Sequence, residues 1–179
     1  MPKKENGKKD VTQLRLAIKE DGHCMAKKRV KKGRKPPPRC KAILLCDNTI
    51  VEAETGKIDI IGIFGAWAFP DFPRATPPFK VFLQLTDGIG KYALSAEVHD
   101  LQHDQIIGQV QVGEIDFPER KSRLSLILSI DPLRIPHAGS YDFVVLAHGQ
   151  EIERQQFQVV QIPRGPSHAA EQPQEPEDH

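Results

Sequence analysis

KVFLQLTDGIGKYALSAEVHD, residues 80–100, is the stretch on which the fold turns. Val81, Leu83 and Leu85 recur at every second position, as do Tyr92, Leu94, Ala96 and Val98. Side chains two apart share a face only in extended backbone. Between the two runs lies Asp87-Gly88-Ile89-Gly90, which supplies turn residues. The pair therefore predicts two antiparallel strands, each with one face buried.

The same period extends in both directions. AILLC (42–46) and 49–54 are predicted as strands separated by a turn or bulge at Asp47-Asn48. Glu54-Thr55-Gly56-Lys57 is predicted as a hairpin loop leading into IDIIGIF (58–64), where Gly62 marks a bulge. Downstream, 105–112, SRLSLILSI (122–130), SYDFVVLA (140–147) and 151–161 alternate in the same way, with His148-Gly149-Gln150 as a tight hairpin. That makes eight to nine strands, with no competing helical period in 42–162. The expected fold is an all-β, antiparallel, immunoglobulin-like β-sandwich, with a small barrel as the alternative. Pro136 to Tyr141 resembles the tyrosine corner of such sandwiches.

Charge divides the chain. Residues 1–41 hold 15 Lys and Arg against 4 Asp and Glu, a net of +11, whereas 42–179 hold 10 against 20, a net of −10. The total of +1 hides both. The expected organisation is a disordered basic arm (1–41), the β domain (42–162) and a disordered, acidic, Pro-rich tail (163–179). Within the arm, DVTQLRLAIKE (10–20) suits a short helix over 11–19, with Asp10 as cap. Pro36, Pro37 and Pro38 suit a stiff spacer. Met1 and Met25 are alternative starts. No apolar stretch of about 7–15 residues follows the basic N-terminus, so a secretory signal is not expected. The longest apolar run, 60–69, is too short to cross a bilayer. The three cysteines, Cys24, Cys40 and Cys46, form no even framework, and Cys46 is expected to pack as a small hydrophobe. A reducing cytoplasm is the default expectation.

Three segments, AILLCDNTIVEAETGKIDIIGIF (42–64), FKVFLQLTDG (79–88) and GSYDFVVLAHGQEIERQQFQV (139–159), together resemble an uncharacterised bacterial family of β-sandwich domains of unknown function. The resemblance rests on Cys46-Asp47 after an apolar strand, Gly56-Lys57 in the first hairpin, and the Gly139, Tyr141, Gly149 and Phe157 ending. It covers about 42–160 and implies the sandwich architecture. It implies no activity, and the basic arm is not part of it.

Chemistry-bearing motifs are few. HExxH, CxxC, GxSxG and Walker A strings are absent from the sequence. GIGKYA (88–93) matches the dinucleotide string GxGxxA, but that motif needs a helix after its glycines, so Gly88 and Gly90 are taken as turn residues. HDLQHD (99–104) holds two His-Asp pairs across a predicted turn and is taken as a solvated hairpin end, with no metal or cofactor assigned. An enzyme would need His99, Asp100, His103 or Asp104 to converge in a cleft. The favoured expectation is a non-catalytic interaction module that touches an unknown protein partner through Trp67, Phe69 and Phe72 on the Pro-rich loop 65–78. The alternative is a polyanion-binding accessory protein. Its arm residues Lys27, Lys28, Arg29, Lys31, Lys32, Arg34, Lys35, Arg39 and Lys41 would neutralise nucleic-acid phosphates, or an anionic lipid or acidic protein surface.

Overall fold

The computed structural model describes residues 12–15 and 36–163. In chain order the strands are β1 (Thr12–Arg15), β2 (Arg39–Val51), β3 (Ile58–Ile63), β4 (Ala66–Phe69), β5 (Arg74–Ala75), β6 (Phe79–Thr86), β7 (Gly90–Asp100), β8 (Gln105–Phe117), β9 (Leu124–Ile130), β10 (Arg134–Ile135), β11 (Gly139–Ala147) and β12 (Gln150–Gln161). One five-stranded sheet has the order β1-β9-β6-β2-β3, and a second has β4-β12-β11-β7-β8. A two-stranded ribbon, β5 with β10, lies apart from both. The protein is all-β. No helix among the described residues is long and apolar enough to cross a membrane.

The two-residue period is what joins the sheets. Val81, Leu83 and Leu85 of β6 and Leu126, Leu128 and Ile130 of β9 share one core with Tyr92, Leu94, Ala96 and Val98 of β7 and Tyr141, Phe143 and Val145 of β11. Each such side chain contributes roughly 1.5–3 kcal/mol on leaving water. The turn between β6 and β7 is as expected, with Asp87 (φ 62°) and Gly90 (φ 73°) left-handed. Gly88 is required by packing rather than by any nucleotide: a Cβ there would lie 2.4 Å from the Phe117 ring. The β11–β12 hairpin turns through His148 (φ 51°) and Gly149 (φ 73°).

Several expectations are corrected. The sheets are mixed, because β1 pairs with β9 and β4 with β12 in parallel. Neither strand is joined to its partner by a hairpin, so nothing forces antiparallel pairing. The described residues form twelve strands rather than eight or nine, because four short ones were not legible. Strands 42–46 and 49–54 are a single strand, β2, whose pairing with β3 keeps one register from Cys46↔Ile63 to Val51↔Ile58. The domain begins earlier than expected. Arg39 pairs with Thr86, and Lys41 is the extra residue of a bulge between Cys40 and Ala42. Thr12–Arg15 is strand, not part of a helix, since pairing with the edge of β9 satisfies backbone groups that a marginal helix of about nine residues holds poorly. The remainder of 10–20 and residues 27–35 and 164–179 lie outside the described residues.

Leu83, fully buried in β6, sits between the sheets. Leu83→Ala is expected to cost about 2–5 kcal/mol, measured as a lower urea midpoint with an unchanged slope.

Candidate functional site

β7 carries its inward row, Tyr92, Leu94, Ala96 and Val98, one step further to Asp100. A carboxylate therefore ends a row of apolar side chains, and its own side chain is only 2% exposed. Burying an ionised carboxylate is costly unless its oxygens are paired, and both are. Oδ1 accepts the Gln102 backbone N–H at 2.9 Å, which folds residues 101–104 back over the strand end. Oδ2 lies 3.0 Å from His103 Nδ1 and 2.7 Å from His137 Nε2. Asp104 closes the turn with φ 52°.

His137 comes from the connection between β10 and β11, and that connection is anchored. Thr76 is buried and exchanges two hydrogen bonds with Leu133, backbone N–H to Leu133 O at 2.9 Å and Oγ1 from Leu133 N–H at 3.0 Å. Leu133 and Ile135 are buried in the core. Tyr141, in register with Asp100 across β11 and β7, donates its hydroxyl to His137 O at 2.8 Å. The His137 and His103 rings meet edge to face, with centroids 4.5 Å apart.

The electrostatics follow from these contacts. His137 Nδ1 points at Ala138 O at 2.8 Å, while Nε2 points at the carboxylate. With an acceptor at each nitrogen, the ring is most stable carrying two protons. The Ala138 carbonyl, and then Asp100, hold its pKa above 6.5 against the opposing effect of burial. Burial acts to raise the Asp100 pKa, but the hydrogen bonds from His103, His137 and Gln102 outweigh it, and its pKa lies below 3.8. Burial, and then the Asp100 charge, raise the Tyr141 pKa. Asp100, His103 and His137 form a group whose ligating atoms all lie within 4.8 Å of one another, so they could hold a metal ion.

The sequence-derived candidates are placed differently. His99 bonds Glu97 at 2.8 Å instead of joining Asp100, and Asp100 is buried rather than solvated. Trp67 and Phe69 lie on β4 and not on a free loop. Trp67 packs against Phe64, Phe79 and Phe157 at 4.5, 5.0 and 5.1 Å, just after the chain passes from β3 of one sheet to β4 of the other. Phe69 is buried, and Phe72 lies half-buried against it. Phe69 thus belongs to the core, and Trp67 and Phe72 are partly buried against it, where the sequence suggested an exposed loop. Arg39 lies 4.0 Å from Asp87, and Lys41 is exposed. Lys27, Lys28, Arg29, Lys31, Lys32, Arg34 and Lys35 lie outside the described residues. Burial, and then the Asp47 charge, raise the Cys46 thiol's pKa, and burial, then Glu153, push Cys40 up to about 11.

His137 was missed in sequence because it is 37 residues from Asp100. Asp100 did leave a signal, namely its inward parity on β7.

Residues 41–160 match a family of unknown function, DUF6941. The chain belongs to this family. No curated protein matches the sequence. Among solved structures, the chain is similar to the Pseudomonas fluorescens alkylpurine DNA glycosylase AlkC bound to DNA containing an abasic site analog, at 8% identity and a TM-score of 0.44. That match covers 71% of this chain and 31% of the glycosylase, so the chain spans about a third of that protein's length. A likeness this loose carries neither fold nor activity across. The site of this DUF6941 member is therefore argued from its own residues.

Linkage assigns a pH window. The stability from a raised His137 pKa is complete below 6.5 and is lost as pH rises through the higher folded value. The stability from a lowered Asp100 pKa is complete above 3.8 and is lost as pH falls through the lower folded value. With chelator present, Asp100→Asn is expected to cost about 1–3 kcal/mol near pH 6 and less at pH 9. In the same variant the His137 midpoint, followed by NMR, falls toward or below 6.5.

Proposed function

We propose that this chain is a non-catalytic, immunoglobulin-like β-sandwich module that docks another protein through its β2–β3 edge. The observation that carries this reading is a group of exposed isoleucines: Ile50 on β2 at 52%, and Ile61 and Ile63 on β3 at 46% and 60%. Among the described residues β3 ends its sheet, which leaves one side of its backbone for pairing. Ile61 and Ile50 share a face, being diagonal neighbours across the Asn48↔Ile61 and Ile50↔Asp59 pairs. An apolar patch beside an open strand edge suits strand addition by a partner, with backbone bonds for affinity and isoleucine contacts for specificity.

The sandwich reading is supported by two five-stranded sheets enclosing one core and by the Tyr141 hydroxyl reaching back four residues to His137 O, the pattern of a tyrosine corner. A non-catalytic role is supported by the two raised thiols. Free Cys40 and Cys46 fit a reducing cytoplasm.

The test is a pair of variants read against a control. Ile61→Lys with Ile63→Lys is expected to abolish a reproducible, reciprocal protein interaction, with the circular dichroism spectrum unchanged. Ile89→Lys, at an exposed position on the β6–β7 turn, is expected to keep it. Loss in both variants, or in neither, would remove β3 as the docking edge.

A second reading has its own support: seven cations and no acid in residues 27–35. If these bind nucleic acid, log affinity falls with log salt at a slope no steeper than about −6, from roughly −0.9 per phosphate contact. Lys27, Lys28, Lys31 and Lys32 changed together to Gln would flatten it by about 3–4, as read by fluorescence anisotropy with duplex DNA. A full chain that fails to bind duplex at low salt ends this reading.

A further inference from the structure

We propose that Asp100, His103 and His137 form a binding site for a first-row divalent transition metal, held through Asp100 Oδ2, His103 Nδ1 and His137 Nε2.

One oxygen is the focus of the cluster. Asp100 Oδ2 faces two imidazole nitrogens, at 3.0 and 2.7 Å, while Oδ1 is committed to the Gln102 N–H. Three donor atoms from two separate segments thus converge on one point. The His137 ring has its Nδ1 proton directed at Ala138 O. In the neutral ring, that bond selects the tautomer whose Nε2 carries a lone pair toward the carboxylate. Two lone pairs at 2.7 Å repel, so a positive centre must lie between them. Either a proton or a metal cation can fill that role.

The surroundings are those of a metal ligand set. Ligating histidines usually donate their second ring N–H to a carbonyl or carboxylate, which orients the ring and raises its basicity. Ala138 O does this for His137. The Tyr141 hydroxyl, bonded to His137 O, and the Thr76–Leu133 hydrogen bonds hold the connection in place before any ion arrives. The donor spacing is also informative. At metal–ligand bonds of about 2.1 Å, neighbouring donors lie about 3.0 Å apart at right angles and about 3.4 Å apart in a tetrahedron. The observed 2.7 and 3.0 Å, both measured from Asp100 Oδ2, lie nearer the right-angled value, and all three donors lie within 4.8 Å of one another, a set of two histidines and one carboxylate. The opposite face would be open to water, on the side where His103 is half exposed. Two nitrogen donors favour zinc, cobalt, nickel or iron(II) over magnesium or calcium. Where His137 holds two protons, binding releases the one on Nε2 to solvent: the N–H bond breaks and the N–metal bond forms.

This site lies apart from the β3 edge and does not depend on it. The test uses the full chain, freed of metal by chelation, titrated separately with Zn²⁺, Ni²⁺ and Co²⁺ by calorimetry. One-to-one binding tighter than about 10 μM is expected for at least one ion, with nitrogen NMR shifts at His103 Nδ1 and His137 Nε2. His103→Ala removes a half-exposed ligand and should leave the fold intact, weakening binding at least 10-fold. His99→Ala, a histidine occupied with Glu97, should bind as the unaltered chain does. No binding of any of the three ions at about 1 mM would overturn the site and leave the proton as the only bridging cation. Binding unchanged in His103→Ala, or NMR shifts confined to other histidines, would overturn it equally.

Discussion

Everything in this molecule depends on keeping water out of the space between two sheets. β6 and β9 on one side, β7 and β11 on the other, present leucine, isoleucine, valine and aromatic side chains at every second residue. A one-residue slip in any of these strands would turn its apolar set outward. Register, turn position and strand direction are therefore all consequences of that single exclusion. Trp67 extends it at one end of the core. Wedged among Phe64, Phe79 and Phe157, it seals the place where the chain leaves the first sheet and joins the second.

Asp100 is the exception that the same constraint creates. It sits at the next inward position after Val98, so the pleat that buries Tyr92 also buries a carboxylate. An inward charge at a strand end is tolerable only with partners, and the turn 101–104 and the connection after β10 supply them. Gln102, His103 and His137 have little else in common. Their meeting at one carboxylate links the stability of the loop end of the second sheet to whatever cation lies there. The β3 edge is a different kind of exception. There the apolar side chains are exposed, and among the described residues no further strand pairs beyond β3.

Much of the fold was legible in sequence because alternation is a local property. The β6–β7 turn, the His148-Gly149 hairpin and the Gly56 loop were all visible, each marked by residues that tolerate positive φ. The short strands were not. Ala66–Phe69, Arg74–Ala75 and Arg134–Ile135 have too few residues to show a period, and they are strands because of what they pair with. The aromatics of 65–78 illustrate the same limit. A Pro-rich stretch with Trp67, Phe69 and Phe72 has the composition of an exposed binding loop, yet Trp67 and Phe69 form part of a strand against β12. Half of the candidate site was within reach. HDLQHD named Asp100 and His103, and the two-residue parity of β7 continues to Asp100, but the expectation of a solvated hairpin end put Asp100 outside, and the pairing of His99 with Glu97 and the arrival of His137 required three dimensions.

The sequence by itself determined the all-β class, the inward faces of the long strands, the principal turns and the opposite net charges of residues 1–41 and 42–179. These follow from side-chain spacing of two, turn chemistry and composition, all of which act over a few residues. Only the tertiary structure decided which strands neighbour one another, that two pairings run parallel, that the aromatics of 65–78 pack into or against the core, and that Asp100 gathers two histidines. Those outcomes depend on contacts between residues tens of positions apart, where closure of the chain around one dry interior, rather than any local preference, selects the partner.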